Sequence, residues 1–356
     1  EGNCIPKKSL KQENILVKKV IHLIPYDGIG GGEAAAKTML HFNSELIDFR
    51  IIFIFNNIKN KNFLNFFYRT YELIKINPDL LIVSLWRSCI VGILFKMLKP
   101  NSKLVLFLHY PHHYHFLDKI FTKTMSFFCN AIWADSNDTL KSRLPNFSKN
   151  KTGVISFVAR RFKPVTAEIP KPNFIFWGRL HEQKAIHFAL EIFAGIKEKY
   201  NDASFTIIGP DGGEKTFLKN LSNNLGIQNN TKFLGPKDLN SIINLSRDAS
   251  FYLQTSKLEG MAMSVVEGMQ LGLVPLVTPV GEIKNYCKDM HNSILIYDLD
   301  RAKKSILDLI NNKSLFQEIR KNTIDSWSDS EIYPESIETA SIEMLGIKKD
   351  YKDNNY

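Results

Sequence analysis

The sequence predicts an α/β protein built from two doubly wound domains that face each other across a cleft. Three observations predict it. Apolar runs of strand length alternate with helix-period segments along almost the whole chain, which is the signature of βαβ units. At 356 residues the chain exceeds what one hydrophobic core usually encloses. The alternation also breaks once, over Ala159–Pro172, where prolines and the cations Arg160, Arg161 and Lys163 read as a linker.

In the first half, strands are predicted at Val20–Ile24, Arg50–Phe55, Leu80–Leu85, Leu104–His109, Ala131–Asp135 and Gly153–Phe157. Several are apolar on both faces, as a covered parallel sheet requires. Helical periodicity falls near Gly32–Phe42, Phe63–Ile76, Ser88–Leu98 and Phe116–Cys129. After the linker the strands are Phe174–Gly178, Ser204–Ile208, Lys232–Leu234, Ser250–Leu253, Val274–Thr278 and Ile294–Tyr297. The intervening helices are His187–Tyr200, Glu214–Leu225, Asn240–Ser246, Met261–Leu271 and Arg301–Ile310, with a last one from about Pro334 to Leu345. Residues 1–16 are polar, without a signal-peptide core, and read as a tail. The expected division is 17–160 for the first domain and 161–332 for the second, with 333–356 returning to the first.

An apolar content of 44% and a charged content of 23% are ordinary for a folded soluble protein. The net charge of +10 is not evenly spread. Residues 1–160 carry 22 Lys+Arg against 11 Asp+Glu, whereas residues 161–356 carry 24 against 25. The basic first half favours an anionic surface or acceptor. Its apolar–basic stretches, Lys59–Arg69 and Phe116–Phe128, could rest on an anionic membrane or simply be core-facing helices. Nucleic-acid binding lacks any recognised reading motif. Four scattered cysteines without metal spacing fit a reducing cytosol. No run reaches 18 apolar residues, so no spanning helix is expected.

The most informative segment is Ser256–Gly272, with Glu259 just before a predicted helix start and Glu267 inside that helix. In open α/β sheets, ligands gather where strand C-termini meet helix N-termini, whose bare amides attract phosphate. A carboxylate there accepts hydrogen bonds from sugar or ribose hydroxyls. A plainer reading makes Glu259 a helix cap and Glu267 a solvated side chain. Arg179 and Lys184 stand five apart beyond another predicted strand end. They supply the cations that a diphosphate needs, or else a surface pair. The loop Tyr26–Glu33 has four glycines but matches neither G-x-G-x-x-G nor a P-loop, and reads as close approach to a ligand or as a turn. His109, His112, His113 and His115 form a cluster with no helical pair and no matching Cys or carboxylate set, which argues against metal. Asp298-Leu299-Asp300 is spelled like a metal motif, but a helix cap fits its place better.

Taken in order, Gly30-Gly31-Gly32, Gly178-Arg179-Leu180 with Lys184, Phe233-Leu234-Gly235, Glu259-Gly260 with Glu267, and Gly272 with Pro275 resemble a retaining GT-B glycosyltransferase of family 4, the glycosyl transferases group 1. The resemblance spans about residues 18–346. It implies two facing Rossmann-like domains, with a C-terminal helix, following Trp327, that crosses back onto the first. It implies Arg179 and Lys184 on the donor diphosphate, Glu267 on the ribose, and Glu259 with Gly260, Met261 and Ala262 on the donor sugar. Gly30 and Gly31 would approach the donor, Leu234 would border the base, and His109 would touch the sugar or diphosphate. Three departures stand out: Ala185 follows Lys184 where glycine is usual, Val280-Gly281-Glu282 replaces a double glycine, and Tyr110-Pro111 follows His109.

The implied activity is transfer of a sugar, with retention and without a metal or other cofactor, from a nucleotide-diphosphate sugar to a glycan hydroxyl. A UDP-sugar is favoured and a GDP-sugar is the alternative. The acceptor is expected to be lipid-linked or part of a lipopolysaccharide or surface polysaccharide, at the cytoplasmic face of the inner membrane. A sugar-nucleotide epimerase on the same fold, or a non-catalytic scaffold of glycan assembly, are the competing readings.

Overall fold

A computed structural model describes residues 17–28, 31–55, 62–113, 115–143 and 152–347. Among these, twelve strands form at or within a few residues of the predicted places. The first six are β1 (Lys18–Tyr26), β2 (Ile47–Phe55), β3 (Leu80–Ser84), β4 (Lys103–Leu108), β5 (Ala131–Ala134) and β6 (Thr152–Val154). They make one parallel sheet in the order β2-β1-β3-β4-β5-β6. Helices α1 (Gly31–Thr38), α2 (Leu64–Ile76), α3 (Leu85–Leu98), α4 (Phe116–Phe128) and α5 (Asn137–Arg143) connect them. All five residues of β3 are buried, as the two-faced apolar run requires.

The second sheet takes β7 (Asn173–Trp177), β8 (Ser204–Ile208), β9 (Thr231–Phe233), β10 (Phe251–Gln254), β11 (Val274–Val277) and β12 (Ile294–Leu295), in the order β12-β11-β10-β7-β8-β9. Its helices are α6 (Ile186–Lys197), α7 (Lys215–Asn224), α8 (Leu239–Ser246), α9 (Met263–Leu271), α10 (Ile283–Tyr286), α11 (Leu299–Asn311) and α12 (Lys313–Asp325). Asp238, Asp298 and Asn312 start α8, α11 and α12 by accepting a first-turn amide. Asp298 is thus a helix cap.

Each order reverses once. In the first sheet the reversal lies between β1 and β3, in the second between β7 and β10. At such a point two neighbouring strands send their chains to opposite faces and leave a crevice beyond their C-terminal ends. The two crevices open toward each other.

The last helix, α13 (Tyr333–Leu345), returns to the first sheet. Its Tyr333 is fully buried, with ring centroids 6.3 Å from Phe107 and 5.5 Å from Phe157. The Tyr333 amide donates to Val158 O at 2.7 Å, and Ser336 Oγ accepts the Ser156 amide at 3.1 Å. The packed Tyr333 ring and these two backbone-directed bonds anchor the crossing.

Candidate active site at the interdomain cleft

On the second-domain side, β7 leads through Gly178 and Arg179 into a 3-10 turn at Glu182–Lys184, which His181 opens by accepting the Gln183 amide. Ala185 then takes a left-handed conformation, φ +45°, before α6 begins. That backbone is the reason glycine suits this position, because a Cβ there costs about 1–2 kcal/mol. From the neighbouring strand, Gln254 ends β10 and the chain runs to Glu259. Lys184 Nζ reaches Glu259 Oε1 at 2.6 Å, and Gln254 Nε2 donates to the same oxygen at 3.1 Å. Glu259 is only 6% exposed. A buried carboxylate persists when it is paired and hydrogen-bonded. Both bonds fall on Oε1, which leaves Oε2 for a ligand hydroxyl.

Glu259 is therefore no helix cap. The helix α9 starts at Met263, two residues later than its apolar run, because Ala262 takes φ +55° as its first flanking residue and offers no side-chain cap. Gly281 fixes the loop from behind. It has φ +56°, and a Cβ added there would lie 2.1 Å from Glu259 O. A single glycine at this point meets the steric need. Its neighbour Glu282 crosses the cleft instead: Oε1 accepts the Asp138 amide at 3.0 Å, and Lys284 Nζ pairs with Asp138 Oδ2 at 2.7 Å.

The first-domain side is built around Ser84, the last residue of β3. Its Oγ lies 2.6 Å from His22 Nε2 and 2.6 Å from His109 Nε2. A hydroxyl has one proton, so it donates to one ring and accepts from the other, and the two imidazoles hold opposite tautomers. Burial pushes both rings down to about 3, His22 further through His109 and His109 further through Arg143. Both are neutral. His22 Nδ1 and His109 Nδ1 are buried without a partner among the described residues.

The loop after β4 is held by Arg143, whose Nη1 donates to Tyr110 O at 3.2 Å and His112 O at 3.1 Å, while Nη2 reaches Asp118 Oδ1 at 3.0 Å. His115 accepts the Asp118 amide as the cap of α4. His113 lies 3.6 Å from the same carboxylate. Part of the histidine run thus serves loop and helix geometry. Beyond β5, Asp135 is buried, and desolvation pushes its carboxyl up to about 6, with Glu282 acting in the same direction. A methyl at Gly260 would stand 3.3 Å from Asp135 Oδ2, so the two domains nearly touch there.

Between the two sides lies a cavity of about 690 Å³, lined by Ser84, His109 and Asp135 on one wall and by Lys184, Glu259 and Gly260 on the other. Met261 and Ala262 also face it. Arg179, Leu234 and Glu267 do not line it. Arg179 is exposed and packs beside Gly212. Leu234 is half-buried at the end of β9, where its amide donates to Ile207 O at 2.9 Å. Glu267 is not solvated: its Oε2 accepts Trp177 Nε1 at 2.9 Å, and burial raises its carboxyl above the usual range. Gly31 begins α1, whereas Gly30 lies outside the described residues.

Sequence reasoning missed Ser84, His22 and Asp135. A polar residue inside an apolar strand is the signal His22 carried. Ser84 gave none, because its importance depends on strand order.

Residues 159–326 match the family described as Glycosyl transferases group 1. An uncharacterized glycosyltransferase of Methanocaldococcus jannaschii is 28% identical over 304 residues, covering 72% of this chain and 70% of its own. Among solved structures, Anabaena HepE in complex with UDP and glucose superposes with a TM-score of 0.74 at 16% identity, covering 93% of this chain and 100% of that one. The lipopolysaccharide outer core galactosyltransferase WaaB gives 0.68 at 17%, covering 92% and 99%. Against Staphylococcus aureus TarM the TM-score is 0.64 at 19% identity, and 79% of this chain spans 59% of that one. At these identities the structures share the fold. Taken with the two facing parallel sheets and the crossing helix α13, these likenesses show that this chain has the GT-B fold, with residues 159–326 similar to the glycosyl transferases group 1 family.

Proposed function

We propose that the chain transfers a sugar, with retention and without a metal ion, from a nucleotide-diphosphate sugar to a glycan hydroxyl in this cleft. One observation carries the proposal: Lys184 and Glu259, from the two strand ends of the second crevice, face Ser84 and His109, from the first, across one cavity. Lys184 stabilises the negative charge that grows on the leaving diphosphate. Loss of one such charge contact raises a barrier by about 3 kcal/mol. Glu259 Oε2 accepts from donor sugar hydroxyls, and Glu267 keeps one oxygen for the ribose. Arg179 would reach the diphosphate by a side-chain movement from its exposed place. Leu234 would border the base, with Gly30 and Gly31 approaching the donor from the first domain. The leaving phosphate takes the acceptor proton, so His109, neutral and bound to Ser84, serves as a contact rather than a base. A cavity of this size, closed by two domains, keeps water from the donor.

UDP is the preferred nucleotide, in keeping with the UDP bound to HepE. Thermal melting of the full chain with UDP-, GDP- and ADP-glucose tests this. A UDP-sugar at 100 times its Kd should stabilise by about 2.7 kcal/mol. No shift with any of the three would contradict the reading.

We also propose contact with an anionic membrane surface, where a lipid-linked or lipopolysaccharide acceptor would be met. No helix among the described residues is long and apolar enough to cross a membrane. However, Phe63, Leu64 and Phe67 of the α2 end and Phe116 and Phe127 of α4 are more than half exposed, with Lys119 and Lys123 on the latter helix. An apolar rim with cations is the composition of an interfacial helix. Sedimentation with anionic but not neutral vesicles, reduced by Phe116→Ser with Phe127→Ser, is expected. Equal binding to both vesicle types would refute the contact.

A further inference from the structure

The first-domain wall of the cavity holds one cation that the donor chemistry does not use. Trp86 and Arg87 follow Ser84 at the start of α3, and both line the cavity. The Arg87 guanidinium lies 4.3 Å from the Trp86 ring centroid, and its Nη1 donates to the Tyr26 hydroxyl at 2.8 Å. Tyr26 ends β1, so this group sits at the reversal of the first sheet. His115 stands edge-on to the same indole, with centroids 5.1 Å apart.

The other charges that line the cavity, on both walls, are engaged elsewhere. Lys184 is paired with Glu259, and Asp135 is buried against Ser136 and the Gly260 backbone. Among the described residues no carboxylate lies within ion-pair distance of Arg87, although eleven such pairs form elsewhere. A guanidinium is always charged at neutral pH and presents a planar fork matched to phosphate and carboxylate. Here it is braced by an aromatic face and a phenol, which limits the freedom it would lose on binding.

We infer that Arg87, braced by Trp86 and Tyr26, binds an anionic substituent, a phosphate or a carboxylate, on the acceptor sugar. The enzyme then glycosylates a charged glycan in preference to a neutral one. The inference rests on the transferase reading of the cleft, which places the donor diphosphate at the opposite wall and the acceptor here.

The test is a titration of the full chain, with UDP at saturation to fill the donor side, by glucose 6-phosphate, glucuronate and glucose. At least one charged sugar should bind tenfold or more tighter than glucose. That preference should vanish in Arg87→Gln and persist in part in Arg87→Lys. The relative strength of the two charged sugars distinguishes phosphate from carboxylate. Three sugars that bind alike, or not at all, overturn the inference. So does a preference that survives Arg87→Gln in a chain that still melts cooperatively, or a charged sugar displaced by UDP. A chain that gives no melting shift with UDP contradicts the transferase reading instead, and the same titration without UDP then decides on Arg87 alone.

Discussion

At the scale of single residues, the strongest constraint on the site is that Ser84 joins two neutral histidines. Both rings have folded-state pKa values depressed to about 3, well below the ordinary 6.5. The unfolded chain therefore takes up two protons, as pH falls below 6.5, that the native chain refuses. Each removes up to about 1.4 kcal/mol of stability per pH unit. Asp135 works the other way, since its folded value is raised to about 6: below that pH the native chain takes a proton first and offsets one histidine. Glu267, also raised, acts in the same sense as Asp135. The expected result is seen by NMR: the His22 and His109 ring signals do not titrate between pH 8 and pH 5. Protonation of either ring in that range would show that the rings are not buried as described. None of this was legible from the residues alone. Ser84, His22 and His109 are far apart in the chain, and only the β1-β3-β4 order brings them together.

At the scale of elements, the alternation of apolar runs located strands such as β3, β10 and β11 because they are buried on both faces, while the short β6 and β9 are partly exposed. Ends were less legible. The start of α9 was placed two residues early because Met261 and Ala262 continue the apolar pattern, while the left-handed turn at Ala262 is a backbone property. Helix α12 was not foreseen, although Asn312 caps it, because its inward face mixes Phe316 and Ile319 with the buried Thr323. Glu259 in the loop between β10 and α9, and Glu267 inside α9, stood out in the sequence, but their partners did not: Lys184 for one and Trp177 for the other. Gly260 sits at the narrowest point of this loop against Asp135. Gly260→Val should wedge the two walls apart, lower kcat/KM about tenfold, and speed exchange of the Asp138 amide, which Glu282 holds across the cleft. Wild-type exchange at Asp138 together with full activity would show that the close approach has no role.

At the scale of the whole molecule, two Rossmann-like sheets with different strand orders present their reversal points to each other. The first contributes Ser84, His109 and Arg87, and the second Lys184 and Glu259. Under the proposed transfer reading the donor diphosphate would lie on the second wall and the acceptor on the first, so activity would require both domains. In the proposed reaction Lys184 meets the donor diphosphate as it leaves. Steady-state kinetics of Lys184→Gln with a UDP-sugar test this contact most directly, because glutamine keeps a hydrogen-bond donor toward Glu259 while removing the charge. A fall in kcat/KM on the order of a hundredfold is expected, in the range seen for loss of one charge-stabilising donor, with cooperative melting retained. A variant that turns over at the wild-type rate would contradict it.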